Sequence, residues 1–398
     1  MIPPLRGILG HLRPGPGASG AQTSFYYLFR PGPGAAGAQT SPRCLFMDSA
    51  SISSGLVLQS QSTDVYQNLA LEDWIDAHLD LDQRRILLLW RNRPAVVIGR
   101  HQNPWSECNL PAMKKAGIPV ARRRSGGGTV YHDLGNLNLT FFSSRKAYDR
   151  RRNLKVVTEA LRRLQPGLDV QATDRFDIFL NGLYKISGTA SRLSRKSSYH
   201  HCTLLYSADS SAISTMLRPS CPGIQSNATP SVPSPVTNLV DHAPLLQWEE
   251  LLEGLVHQYN TEFDLSSPSV FVDPTDESQF PGVGNMVAEL RSWDWTFGKT
   301  PKFNIETPLE LTDEPPAARC SALLHMEVKN GRLDRFQVDV PSEWLPPELS
   351  GELGSVLVGE RFCPHRAAAI VSTVLRSETG RFHGRLRKLC EAVLAVIG

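Results

Sequence analysis

Arg122-Arg-Arg-Ser-Gly-Gly-Gly-Thr-Val-Tyr-His-Asp-Leu-Gly-Asn136, running on into Leu137-Asn-Leu-Thr-Phe-Phe142, is the stretch on which the reading of this chain turns. Three consecutive glycines let a ligand lie directly against the backbone, and their N–H groups can turn together toward an anion. Arginine beside them suits a phosphodiester. Beyond Asn136 the period of two sends Asn136, Asn138 and Thr140 to one face of a strand and Leu137, Leu139 and Phe141 to the other. The polar face can line a pocket while the apolar face enters a core. Three glycines taken alone fit a flexible turn equally well, so the neighbouring residues carry the argument.

A second constellation lies downstream, Arg175-Phe-Asp-Ile-Phe-Leu-Asn-Gly-Leu-Tyr-Lys-Ile-Ser-Gly-Thr-Ala190. Asn181-Gly182 between alternating segments is the signal of a type I′ hairpin. Two-residue pairing sets Lys185 opposite Ile178, points Leu183, Lys185 and Ser187 to one face, and brings Arg175 beside Ser187 and Gly188. A cation then emerges from a largely apolar strand. A lysine on a hairpin is most often a solvated charge, so this one gains meaning only from its context.

Working outward, a strand is expected at Gly55-Leu-Val-Leu, then a helix capped by Thr63 or Asp64 and running to about Leu79. Ile86 to Trp90 and Ala95 to Gly99 read as a buried hairpin around Asn92-Arg93-Pro94, and Asn109 caps a short helix ended by Gly117. Leu154, Val157, Leu161 and Leu164 mark a helix that Pro166-Gly167 stops. The Ser-, Pro- and Thr-rich stretch 219–244 reads as a long ordered or gating loop, followed by a helix at about 245–259. Asn330-Gly331 marks another type I′ hairpin, with helices at 347–358 and 382–397.

With 398 residues the chain exceeds the roughly 250–300 that a single core sustains, and a composition shift near 274–281 places a boundary there. The expected organisation is a leader at 1–49, a catalytic domain at 50–280 and a C-terminal accessory domain at 281–398. Hydrophobic content of 41% and charged content of 20% suit a soluble globular protein, and no apolar run is long enough for a membrane span. A formal charge of +3 gives no global reason to expect nucleic acid. Seven cysteines, odd in number and without a C-x-x-C pair, read as free thiols in a reducing compartment, and no metal site is expected. Before Asp48 the chain has no acidic residue but holds Arg6, Arg13, Arg30 and Arg43, the composition of a mitochondrial transit peptide. The near-duplicates at 13–24 and 30–41 are too rich in Gly and Pro for a long amphipathic helix, so a leader without an address is the alternative.

The Arg-Arg-x-Ser-Gly-Gly-Gly stretch with Tyr-His-Asp-x-Gly-Asn after it, and the later Lys185-Ile-Ser-Gly-Thr-Ala190, resemble the signatures of the lipoate-protein ligase family. Asn68-Leu-Ala-x-Glu72, Val97-Ile-Gly-Arg-His-Gln-Asn-Pro104 and Trp293-Asp-Trp-Thr-Phe-Gly-Lys-Thr-Pro-Lys-Phe303 extend the resemblance from about residue 55 to the C-terminus, and it is strongest to the mitochondrial, transferase-type members. It implies an α/β fold of α+β type: a large, biotin/lipoate ligase-like catalytic domain with a mixed or antiparallel sheet, and a smaller C-terminal α/β accessory domain. It also implies lipoyl transfer from lipoyl-AMP, or another activated or protein-bound donor, to a lysine of an acceptor. Lys185 would contact the acyl carbonyl and phosphate. Arg123, Ser125, Gly126, Gly127 and Gly128 would line the donor pocket, with Tyr131, His132, Asp133, Asn136, Asn138, Arg175, Ser187, Gly188, Thr189, Ala190 and Thr203 as further donor-binding residues. No tightly bound cofactor follows; lipoyl-AMP is a substrate. The expected partners are apo lipoyl domains of 2-oxo-acid dehydrogenase complexes and the glycine-cleavage H protein, met by a monomer in the mitochondrial matrix.

One departure bears on the reaction. Where members that activate lipoate with ATP carry Ser-Val-Arg-Ser-Arg-Val, this chain has Ser231-Val-Pro-Ser-Pro-Val236. Proline cannot make the charge-assisted contacts a triphosphate needs, so the adenylation half-reaction is in doubt unless Lys299 or Lys302 substitutes. A complete ATP-dependent ligase is therefore the alternative. Biotin ligases would show a Gly-Arg-Gly-Arg loop instead, whereas an octanoyl group remains compatible. Neighbouring His200, His201 and Cys202 point to opposite strand faces, which disfavours a metal or hydrolase site. Arg145 to Lys155 and Arg162-Arg163 form a basic helix face, either solvated or docking an acidic partner.

Overall fold

The computed structural model describes residues 55–312 and 319–398; the leader, with its repeats and expected transit peptide, lies outside them. The Asn136–Ser144 strand is buried along its whole length because helices cover both faces of its sheet. That sheet is mixed, with the order 189–193, 197–205, 136–144, 85–90, 55–60, 269–272, antiparallel in its first half and parallel in its second. On one face Leu137, Leu139 and Phe141 meet the helices Arg150–Leu164 and Trp248–Phe263. On the other, Phe142, Leu88 and Trp90 meet the Val65–His78 helix and the segment holding Phe280, Val283, Leu290 and Trp295. Asp64 caps the Val65–His78 helix by accepting the N–H groups of Tyr66 and Gln67.

The expected hairpin at Ile86–Gly99 does not form. Arg85–Trp90 pairs with Gly55–Ser60 and Asn136–Ser144, whereas Ala95–Ile98 runs between Val120–Arg122 and Val130–His132 in a separate three-stranded sheet. The cause is the connection. Asn92 is fully buried, accepting from Asn68 Nδ2 at 2.8 Å and donating to His132 Nδ1 at 2.9 Å, while the Arg93 N–H is held by Thr63 O. Pro94 has no N–H to give a ladder.

The C-terminal part is a four-stranded antiparallel sheet, 224–226, 303–312, 319–329, 332–339, packed on the helices Pro347–Leu357, Pro364–Ser377 and His383–Ile397. Phe303–Thr312 alternates buried and exposed residues, as a one-sided sheet requires. Asn330 and Gly331 both have positive φ, and Lys329 pairs directly with Arg332 in the expected two-residue hairpin. Trp105 reaches into this core and packs against Phe297, Phe303 and Phe362.

Candidate functional site

The hairpin Ile178–Leu180, Tyr184–Ser187 carries the lysine. Asn181 and Gly182 take positive φ, and the Leu183 N–H donates to Leu180 O at 3.2 Å, so the expected turn is present. Leu183 is then accommodated as an extra residue. Leu180 pairs with Tyr184, and Lys185 therefore lies opposite Phe179 and not Ile178, which a second register shift sets against Ser187. Lys185 Nζ forms an ion pair with Asp177 Oδ1 at 2.9 Å. Its backbone is tied to the Pro-rich segment: the Lys185 N–H donates to Pro235 O at 2.8 Å and Thr237 N–H to Lys185 O at 3.3 Å. The 219–244 stretch is thus an ordered strap. It is clamped further upstream, where the Ser231 hydroxyl donates to Glu107 and accepts from Gln102 Nε2 at 3.1 Å and from the Thr129 N–H at 2.9 Å.

The three arginines before the glycines have three separate sets of partners. Arg122 is fully buried and donates to Thr296 O, Thr300 Oγ1 and the carbonyls of Gly99, Arg100 and Gln102, tying this strand to 296–300; burial lowers its pKa to about 10. Arg123, also lowered to about 10 by burial, gives its donors to Val97 O, Ser125 Oγ and the carbonyls of Gly126 and Gly128. It is a clip that shapes the glycine loop, and its fork is already occupied. Arg124 pairs with Asp73 and Glu289 and stacks on Trp295. Glycine is required at two points here. A Cβ on Gly99 would come within 2.1 Å of Gly127 O, and Gly127, with φ +85°, would set one 2.9 Å from Arg123 Nη2.

These elements enclose a cavity of about 320 Å³. Of the expected donor-binding residues, Arg123, Gly127, Gly128, His132, Asn138, Arg175, Lys185, Gly188, Thr189, Ala190 and Thr203 line it. Its inner part is closed by the buried side chains of Leu69, Trp90 and Val97; its outer part carries Arg175, Asp177, Lys185 and the strap residues Thr229 to Val232. Arg175 is exposed and, unlike Lys185, has no carboxylate partner among the described residues.

The remaining expected residues sit behind the wall. Ser125 is buried, accepting from Arg123 and meeting His201 Nε2 at 2.9 Å. Gly126 offers its carbonyl to Arg123. Tyr131 packs with Val96, Ile98 and Met113 away from the cavity. Asp133 accepts the N–H groups of Gly135 and Asp209, bracing the loop ahead of the Asn136 strand. Asn136 donates to Asn138 Oδ1, and Ser187 is buried. Thr140, on the same polar face, also stays behind the wall, bonding Glu72 and Trp90. Cavity residues given no donor-binding role from the sequence include Asp177, His201, Trp90 and Thr129. Asp177 and Thr129 lie inside motifs already singled out, and His201 was weighed only in a metal or hydrolase cluster.

Behind the inner end a chain of donors is fully directed. Trp90 Nε1 donates to Thr140 Oγ1, Thr140 to Glu72 Oε1, and His201 Nδ1 lies 2.9 Å from the same carboxylate oxygen. Ser125, His201 and Glu72 have the spacing of a hydrolase triad, but the Ser125 hydroxyl is occupied by Arg123 and lies outside the cavity lining. Cys202 is among the cavity residues, but its side chain packs in the core with Leu137, Leu139 and Leu204, and burial pushes the thiol pKa up to about 12, far from a nucleophilic thiolate. His132 is held neutral, its pKa lowered to about 3 by burial and then by Arg123 and His201. Asn68 fixes the orientation of Asn92, which donates to His132 Nδ1, so the imidazole proton resides on Nε2. That buried N–H has no hydrogen-bond partner among the described residues.

The basic helix face is compensated in part: Arg152 and Lys155 pair with Glu262, Arg151 with Asp174, and Arg162 with Glu159.

Residues 64–260 match the family model of the lipoyl protein ligase A/B catalytic domain. The chain is 46% identical over 349 residues to human "Lipoyl amidotransferase LIPT1, mitochondrial", covering 87% of this chain and 93% of that one. The mouse protein of the same name is 46% identical over 345 residues, covering 86% and 92%. Among solved structures, P. falciparum LipL1 in complex with lipoate shares the fold with a TM-score of 0.54 at 24% identity, covering 85% of this chain and 99% of that one. Lipoate-protein ligase A bound with ATP gives 0.52 at 24% identity, covering 61% and 98%.

Proposed function

This chain belongs to the lipoate-protein ligase family, and from that premise we propose that it moves a lipoyl group from lipoyl-AMP onto a specific lysine of lipoyl domains in 2-oxo-acid dehydrogenase complexes. The observation that carries the reading is a cavity whose lining joins the buried apolar side chains of Leu69, Trp90 and Val97 to the more exposed cations Arg175 and Lys185. An acyl chain fits against Leu69, Trp90 and Val97, and the phosphate finds Arg175 and the N–H groups of the glycine loop. Lys185, oriented by Asp177, stabilises the oxyanion as the acceptor amine attacks the carbonyl and AMP departs. The mixed anhydride already holds a good leaving group, so positioning and charge suffice and no covalent enzyme intermediate is needed. The unspent His132 N–H favours a dithiolane, whose sulfurs accept weakly, over a plain octanoyl chain.

The alternative, activation of free lipoate with ATP, is disfavoured by Pro233 and Pro235. Lys299 is exposed and Lys302 pairs with Glu327 at 2.7 Å, and neither lines the cavity. A protein-bound donor, such as the lipoylated glycine-cleavage H protein, would use the same outer end. The protein would act as a monomer in the mitochondrial matrix, in keeping with the mitochondrial names of both relatives and the basic, acid-free leader. The test is the intact mass of an apo lipoyl domain after incubation with the protein and lipoyl-AMP, lipoate with Mg-ATP, or lipoylated H protein, with octanoyl-AMP alongside. Modification from lipoyl-AMP alone supports the reading; modification from lipoate and ATP overturns the inference from the prolines.

A further inference from the structure

Exposed apolar side chains stand next to Lys185 at the outer end of the cavity. Leu183 is 56% exposed at the hairpin tip, with Tyr184 next to it at 36%, two and one residues before Lys185. Val232 is 56% exposed and lines the cavity from the strap, and Val236 is 38% exposed where the strap bridges to Lys185. Two elements distant in sequence thus bring Leu183, Val232 and Val236 beside Lys185, while Tyr184 turns to the other strand face with its ring 6.2 Å from His242. The ladder bonds of Lys185 with Pro235 and Thr237 fix one element to the other, so the rim is built and not a chance scatter of single residues.

We propose that this rim is the docking surface for the acceptor protein, contacting the turn that presents the target lysine. The inference rests on the transfer reading above. Lys185 stands inside the opening, its side chain only 22% exposed. A lysine nucleophile has a four-carbon stem, so its own backbone must come down onto the rim before the amine can reach a carbonyl held at Lys185. A partner turn with aliphatic or aromatic residues beside its lysine covers Leu183 and Val232, excluding water from the bond being made. Arg175, free of carboxylate partners among the described residues, adds to its proposed phosphate contact a positive charge at the edge that fits an acidic residue near the target. The basic helix face, partly paired with Glu262, Asp174 and Glu159, contributes no residue to the cavity lining and has less to offer.

The experiment compares two acceptors of lipoyl from lipoyl-AMP: an apo lipoyl domain, followed by intact mass, and Nα-acetyl-lysine amide, followed by AMP release. Leu183→Asp in the full chain is expected to lower kcat/KM for the protein acceptor at least tenfold, mainly through KM, and to leave the small amine within twofold. Leu245→Asp, which charges another exposed leucine (83%) outside the cavity lining, should change neither. Equal losses with both acceptors mean that the hairpin change displaced Lys185 and overturn the proposal, as does no loss with either. A change of oligomeric state in Leu183→Asp without a change in its protein KM assigns the rim to self-association and overturns the proposal too. A wild-type protein inert toward both amines refutes the transfer reading itself, an outcome distinct from any selective effect at Leu183.

Discussion

Gly127→Ala tests whether Arg123 is a clip on the glycine loop or a cation waiting for phosphate. At φ +85° any Cβ is in left-handed backbone, which costs roughly 1–2 kcal/mol. The new methyl would also stand 2.9 Å from Arg123 Nη2 and 3.0 Å from the Ala190 Cβ. That nitrogen bonds Gly126 O at 2.6 Å and Gly128 O at 2.7 Å, so relief of the clash breaks at least one hydrogen bond to a charged group, about 1.5–3 kcal/mol. The sum is roughly 2.5–5 kcal/mol, within a typical stability of about 5–15 kcal/mol. Gly117→Ala is the matched control: its φ is +67° and nothing lies within 4 Å, so only the backbone cost of roughly 1–2 kcal/mol applies. Urea unfolding of both variants isolates the contact contribution. Transfer from lipoyl-AMP should fall on the order of a hundredfold in Gly127→Ala, since Gly127, Arg123 and Ala190 share one wall. Equal destabilisation by the two variants would refute the clip and return Arg123 to the pool of mobile cations.

Lys185→Ala should reduce transfer by on the order of a hundredfold or more with little change in melting temperature, because the ammonium's role is electrostatic and its ion-pair partner, Asp177, stays solvent-accessible. Near-normal turnover would contradict the catalytic assignment. Arg175→Glu should raise KM for lipoyl-AMP about tenfold, one unit of charge-assisted binding, and should flatten its salt dependence; an unchanged KM would show that phosphate is held elsewhere. His132→Gln addresses pH. The folded pKa of about 3 lies below the ordinary 6.5, so below pH 6.5 the unfolded chain takes up a proton that the folded one refuses, and stability is lost as pH falls toward 3. Each unit costs about 1.4 kcal/mol. From pH 6.5 to 5 the wild type should therefore lose about 2 kcal/mol more than His132→Gln in urea melts; parallel curves would contradict a buried neutral imidazole.

Periodicity and turn chemistry were enough for most local elements. Asp64, Asn109 and Gly117 bound helices as their side chains or lack of one demand, and both Asn-Gly turns formed. Pairing between elements was less legible. The Ile86–Gly99 hairpin failed because Asn92, a turn residue by type, is a buried hydrogen-bond junction, a role set by partners at Asn68 and His132. The extra residue at Leu183 shifted Lys185 by one partner, which composition cannot signal. In the site, motif membership found the wall but not its depth: Ser125, Asp133 and Asn136 belong to the same run as Gly127 and His132 yet brace it from behind. The polar strap clamped by Glu107 and Gln102 was visible only as a loop.

The strap's attachment to Lys185 has an evolutionary corollary. Its bonds use the carbonyl of residue 235 and the N–H of residue 237, and neither involves the amide hydrogen that proline lacks. Side chains at 233 and 235 are therefore free to drift without loosening the wall. A lineage could exchange arginine for proline there, shedding contacts for one substrate while inheriting the scaffold for the other intact. On the proposed reading the two half-reactions of such a fold are separable traits, and selection can discard one without renegotiating the other.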